Sequence, residues 1–168
     1  GQDGSYLAEY LLSLNYDVHG IVRRHSMAEE QNTRIQHIQG KLTTYYGDLL
    51  DQGGLERLLD QIQPDEIYNI AAQSHVRISF DIPQFTVQTN AVGVLNLLEG
   101  YRRACPNAKF YQASSSEMFG NSKSNKQSEK TRFDPESPYA ISKLFSHYIT
   151  LYYRKTHKLF AVSGILFN

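Results

Sequence analysis

The segment SPYAISK, residues 137–143, sets a phenol and an ammonium four positions apart, at Tyr139 and Lys143. If Pro138 opens a helix, that spacing stacks both side chains on one face. A free phenol, with a pKa of about 10, is a poor base at neutral pH. A neighbouring ammonium favours the phenolate and makes the group a better proton acceptor. Such a tyrosine can take the proton of an alcohol while hydride leaves the same carbon. Upstream, YQASSSEMFG (111–120) places Ser114, Ser115, Ser116 and Glu117 together after an apolar run. A serine hydroxyl can hydrogen-bond a developing oxyanion. Tyr-x-x-x-Lys is also what an ordinary amphipathic helix surface shows. Its weight comes from standing after a serine-rich strand end.

These groups need elements to hold them. Periodicity predicts helices over 5–15 (Leu7, Leu11 and Leu14 on one face), 55–63 (ended by Pro64), 85–105 and 137–157. Short apolar runs predict strands over 17–24, 41–49, 66–74, 108–116 and 159–168. Residues 25–41 read as loop with a helical turn, and NSKSNKQSEK (121–130) as a solvated loop. Strands and helices alternate, and several strands are apolar throughout. That pattern predicts an α/β, doubly wound parallel sheet of Rossmann type, whose ligands bind beyond the carboxyl ends of the strands.

The chain opens on GQDG, Gly1, Gln2, Asp3 and Gly4, ahead of a helix. Glycines at such a turn let a phosphate approach the helix N-terminus, although turns of this kind are common without any ligand. About 20 residues further on, the next strand ends in Arg23 and Arg24, where dinucleotide folds read the ribose. Two guanidiniums there suit a 2′-phosphate, so NADP is the expected cofactor over NAD. Asp48 either accepts from an adenine amino group or caps the next helix. Ala71, Ala72, Gln73 and Ser74 are small or polar residues that either let a cofactor approach or make a tight turn. A strand should precede the glycine turn. The expectation is therefore a single NADP-binding domain over 1–168, a fragment of a longer chain that lacks its first strand.

Bulk composition narrows the class. The 168 residues carry 17 basic and 17 acidic side chains, a formal net charge of zero that argues against a nucleic-acid binder. The apolar runs fall far short of the roughly 20 residues that span a bilayer. The single cysteine, Cys105, suits a reducing compartment, so a cytoplasmic location is expected. No metal site is expected.

GQDGSYLAEYLL, GIVRR, YYGDL, EIYNIAAQSHV, FYQASSSEMFG, SPYAISK and LFAVSGILFN together resemble the GDP-mannose 4,6-dehydratases of the extended short-chain dehydrogenase/reductase superfamily. The resemblance implies a nucleotide-sugar lyase that converts GDP-D-mannose to GDP-4-keto-6-deoxy-D-mannose with tightly bound NADP, on the route to GDP-fucose. It implies Tyr139 as the acceptor of the O4 proton, Ser115 (where the family usually has threonine) as the O4 hydrogen-bond donor, and Glu117 as the base at C5. Lys143 would hold the nicotinamide ribose. Gly1, Gln2, Asp3 and Gly4 would line the phosphates, Arg23 and Arg24 the 2′-phosphate, and Asp48 and Leu49 the adenine. Ile70, Ala71, Ala72, Gln73 and Ser74 would flank the pyrophosphate and ribose, and Ser74, Ser115, Glu117, Tyr139 and Asn168 the substrate. The resembling dTDP-glucose dehydratases carry Asp-Glu at this strand end, where here Ser116 precedes Glu117. The resemblance also implies a missing C-terminal substrate domain and a homodimer or homotetramer paired through the helices of 85–105 and 138–157. Another NADP-linked nucleotide-sugar epimerase, dehydratase or reductase, or a non-catalytic NADP-binding module, would share much of this pattern.

Overall fold

The structure, a computed structural model, describes residues 1–23, 34–123 and 126–167. The chain divides into two compact units, Gly1–Asp48 and Leu49–Asn168.

The first unit holds α1 (Gln2–Ser13), β1 (His19–Val22), a 3-10 turn (Gln36–Ile38) and β2 (Thr43–Tyr46). β1 and β2 are parallel, His19 opposite Thr43 and Val22 opposite Tyr46. Ala8, Val18 and Ile38 form the small core, with Leu11, Leu12, Ile35 and Leu42 against it. Leu14 was expected on that face, but it caps α1 and is 49% exposed. The helix closes on Asn15, which takes φ +63°. The Tyr16 N–H bonds Leu11 O and the Asn15 N–H bonds Leu12 O, so the last turn satisfies its carbonyls and rotates Leu14 outward.

The second unit runs α2 (Gln52–Ile62), β3 (Glu66–Asn69), α3 (Val76–Asp81), α4 (Pro83–Val87), a π-helical segment (Gln88–Val92), α5 (Gly93–Ala104), β4 (Lys109–Ser115), a 3-10 turn (Ser116–Phe119), α6 (Pro138–Thr156) and β5 (Phe160–Leu166). The three strands are parallel in the order β3-β4-β5. Leu55 and Leu59 of α2, Val94, Leu97, Leu98 and Tyr101 of α5, and Phe110, Tyr153 and Ala161 form one buried cluster. Asp51, and not Asp48, caps α2, accepting from the Gly54 N–H at 2.9 Å. The helix ends at Ile62 because Gln63 turns left-handed, φ +48°, directly before Pro64.

Parallel strands with flanking helices make this a Rossmann-like α/β fold, as the alternation predicted. Two expectations differ. A strand passing into loop over 66–74 is followed by the short helix α3. The single helix expected over 85–105 is interrupted by the π-helical turn. Each π turn carries one extra residue, which rotates Asn90 off the ordinary helical stripe and into the interior. Among the described residues, no helix is long and apolar enough to cross a membrane.

Candidate functional site

β4, the middle strand of the second unit's sheet, delivers its serines to the sheet's carboxyl edge. Ser115 is the last strand residue and caps the following turn, its Oγ accepting from the Glu117 N–H at 3.2 Å. That turn swings Glu117 to the exposed rim. Gly120 closes it at φ +45°, where an added Cβ would lie 1.9 Å from the Asp134 carbonyl oxygen. Only glycine fits there.

α6 starts where the sequence says it should. The Ser137 hydroxyl accepts from the Ala140 N–H at 3.0 Å, and Pro138 occupies the first turn. Tyr139 and Lys143 lie on one face, both buried. The Tyr139 phenol lies close enough to the Ser115 hydroxyl for that group to favour its ionisation, with Glu117 close enough to act on it electrostatically. The Lys143 Nζ sits 5.8 Å from the centre of the Tyr139 ring and donates to the Ala113 carbonyl at 3.0 Å. Of the three serines, Ser115 therefore meets the phenol, while Ser114 Oγ lies 3.3 Å from His147 Nδ1.

The expected electrostatics need correction. Lys143, together with a cationic nicotinamide, was expected to lower the Tyr139 pKa. Instead burial pushes the phenol up, with the Ser115 hydrogen bond pulling down and the nearby Glu117 pushing up further. Lys143 itself is lowered to about 8 by desolvation. An ammonium held by a backbone carbonyl inside the protein cannot offset the cost of a buried phenolate alone.

Val76, Phe80, Ser116, Glu117, Glu136 and Ser137 line a cleft of about 290 Å³ at this edge. Two contributors escaped the sequence reading. Glu136 faces the same cleft as Glu117, and no local pattern marks it. Asn90, buried in the π-helical turn, accepts from the Gln73 N–H at 2.8 Å and donates to the Gln73 carbonyl at 3.0 Å and to Ser142 Oγ at 3.2 Å. It clamps the loop after β3, where Ala71, Ala72, Gln73 and Ser74 follow Ile70. An asparagine within a predicted helix was its only signal.

The residues expected around the dinucleotide divide between the units. In the first, Gly1 caps α1 without a side-chain bond, so the backbone N–H groups of Gln2, Asp3 and Gly4 remain donors at the helix start. Arg23 is exposed just past β1, and Asp48 ends the unit. In the second, the Leu49 carbonyl accepts from Asn96 Nδ2 at 3.0 Å. The Leu49 side chain crosses α5 at Gly93, where a Cβ would come within 2.7 Å of it. Arg24 and Asn168 lie outside the described residues, as does most of the loop predicted over 25–41. Among the described residues, no cluster of His, Cys, Asp or Glu could hold a metal ion.

A profile of the family described as GDP-mannose 4,6 dehydratase matches residues 1–168. The chain belongs to the GDP-mannose 4,6-dehydratase family. Similar relatives include GDP-mannose 4,6 dehydratase 2 of Caenorhabditis elegans, 47% identical over all of this chain and 46% of that protein. GDP-mannose 4,6 dehydratase of Homo sapiens is 46% identical, covering 100% of this chain and 47% of its own. The chain thus spans about half the length of the GDP-mannose 4,6-dehydratases it matches. Among solved structures, UDP-glucuronic acid 4-epimerase from Bacillus cereus superposes with a TM-score of 0.83 at 29% identity, covering 97% of this chain and 52% of that one. The dTDP-glucose 4,6-dehydratase from Streptomyces venezuelae gives 0.80 at 28% identity, covering 93% and 49%.

Both of those structures contain NAD. The expectation of NADP, drawn from Arg23 and Arg24, does not survive this comparison. Two arginines at a strand end supply charge, but strand-end spacing does not set a guanidinium against a ribose 2′-position.

Proposed function

We propose that this chain is the dinucleotide-binding part of a lyase that dehydrates GDP-D-mannose to GDP-4-keto-6-deoxy-D-mannose, on the route to GDP-fucose and related deoxysugars. The observation that carries this is the placement of the buried Tyr139 phenol near the Ser115 hydroxyl, beside the cleft that Glu117 lines. The donors at the start of α1 suit a cofactor phosphate, and NAD is the proposed dinucleotide. When bound, the nicotinamide supplies a reversible hydride acceptor.

Tyr139 takes the O4 proton of the sugar, and Ser115 hydrogen-bonds that oxygen. Lys143 supplies the positive charge nearest the phenol, a contribution that needs a second cation to bring the buried tyrosine into range. The C4 ketone acidifies the neighbouring C5–H, which Glu117 removes, and the C6 hydroxyl leaves as water. Ser74 and Asn168 are proposed substrate contacts on family grounds. The single cysteine, Cys105, is buried with its thiol pushed up to about 11, in keeping with a reducing, cytoplasmic setting.

A homo-oligomer belongs to the same proposal. Ile141, Phe145, Tyr148 and Tyr152 form an exposed apolar stripe along α6, with Val92 exposed on the adjoining helix. Such a stripe suits a second copy of the chain.

The test is incubation of the full-length protein with GDP-mannose and NAD. Loss of one water, with no net change in cofactor, supports the dehydratase. A C4 epimer, or one reduced cofactor consumed per turnover, replaces it with an epimerase or a reductase.

A further inference from the structure

We propose that Ser79 is a positioning residue for the phenol: its buried hydroxyl fixes the main chain at Tyr139 to the wall of the cleft. This role rests on the dehydratase reading above. Among the described residues of α3 only Ser79 is buried, while Ile78 is 41% exposed and Phe80 55%. A short helix that turns its serine inward and its apolar neighbours outward reverses the usual pattern. What the hydroxyl bonds explains the reversal. A helix leaves its first amides without partners of its own. In α6, Pro138 has no N–H. The Ala140 N–H bonds Ser137 Oγ at 3.0 Å, and the Ile141 N–H bonds the Ser137 carbonyl at 2.9 Å. The Tyr139 N–H lies in the interior, where Ser79 Oγ accepts from it at 3.3 Å. The Ser79 hydroxyl donates its own proton to the Val76 carbonyl at 2.6 Å, which leaves the oxygen's lone pairs for α6.

One hydroxyl thus joins two sides of the site. Val76, whose carbonyl it holds, and Phe80, the next residue along, line the cleft with Glu117. Tyr139 stands in the first turn of α6, and helix ends are where local opening is easiest. A phenol that must meet one sugar hydroxyl is sensitive to displacements of about 1 Å. Without the Ser79 oxygen the Tyr139 amide is buried and unpaired, and the turn shifts to find it another partner. Ser79 has no exposed surface, so it touches neither sugar nor dinucleotide and acts through Tyr139.

The full-length protein, with NAD and GDP-mannose, tests the assignment. Rates are taken per NAD-binding site, counted by fluorescence titration, so that unfolded protein does not enter. Ser79→Ala is expected to lower kcat about 10- to 100-fold with little change in KM. Ser79→Cys keeps the size of the side chain but is a weak acceptor. It should lose about as much, and it carries the test if the alanine variant does not fold. In a Tyr139→Phe background, with no phenol left to position, Ser79→Ala should lower the residual rate no further. Wild-type kcat in Ser79→Ala or Ser79→Cys, or an equal loss with and without the phenol, overturns the role of Ser79 alone. A wild-type protein that removes no water from GDP-mannose overturns the dehydratase reading, and this role with it.

Discussion

Tyr139 is pulled in two directions. Burial and the nearby Glu117 carboxylate oppose its ionisation, while the Ser115 hydroxyl assists it. Replacing it by phenylalanine keeps the buried ring and removes the proton acceptor. Turnover of GDP-mannose is expected to fall by about 10² to 10⁴-fold, with NAD binding, read by fluorescence titration, retained. Unaltered turnover would remove the tyrosine from the mechanism. Lys143 makes a prediction about stability. Its folded pKa, about 8, lies below the ordinary 10.5. Between those values the unfolded chain binds more protons, so this residue's contribution to stability rises with pH through the window and is lost as pH falls through about 8. Wild type should therefore gain urea resistance relative to Lys143→Met as pH rises from 8 to 10.5; parallel midpoints would contradict the burial.

The π-helical turn between α4 and α5 is the element that ties the site's loops together. Through Asn90 it fastens the loop after β3, and through Ser142 it fastens α6 one residue before Lys143. Asn90→Ala would leave the Gln73 amide and carbonyl without a partner. At about 1–3 kcal/mol for a buried group left unpaired, the loss of stability is expected to be about 3 kcal/mol, measured by urea unfolding. A loss within error of zero would mean that the clamp is replaceable. This element was not legible in the sequence, since periodicity over 85–105 reports apolar positions and passes over a single inserted residue. By contrast, the start of α6 was legible, because Ser137 and Pro138 are local signals that act within one turn.

For the whole molecule, the exposed stripe of α6 predicts assembly. Phe145→Glu together with Tyr152→Glu, in the full-length protein, should reduce the mass seen by light scattering to that of one chain. An unchanged mass would place the oligomer contact elsewhere. The chain spans 45% to 49% of the length of the curated relatives it matches.

The sequence by itself determined what depends on near neighbours: the alternation of parallel strands and helices, the shared face of Tyr139 and Lys143, the strand-end position of the serines and the family to which they belong. Tertiary structure decided that Ser115 and not Ser114 meets the phenol, that burial pushes its pKa up, that Asn90 turns inward, and that Glu136 shares a cleft with Glu117. The first group follows from spacing along one helix or strand. The second depends on water exclusion and on side chains brought together from distant parts of the chain, which spacing does not encode.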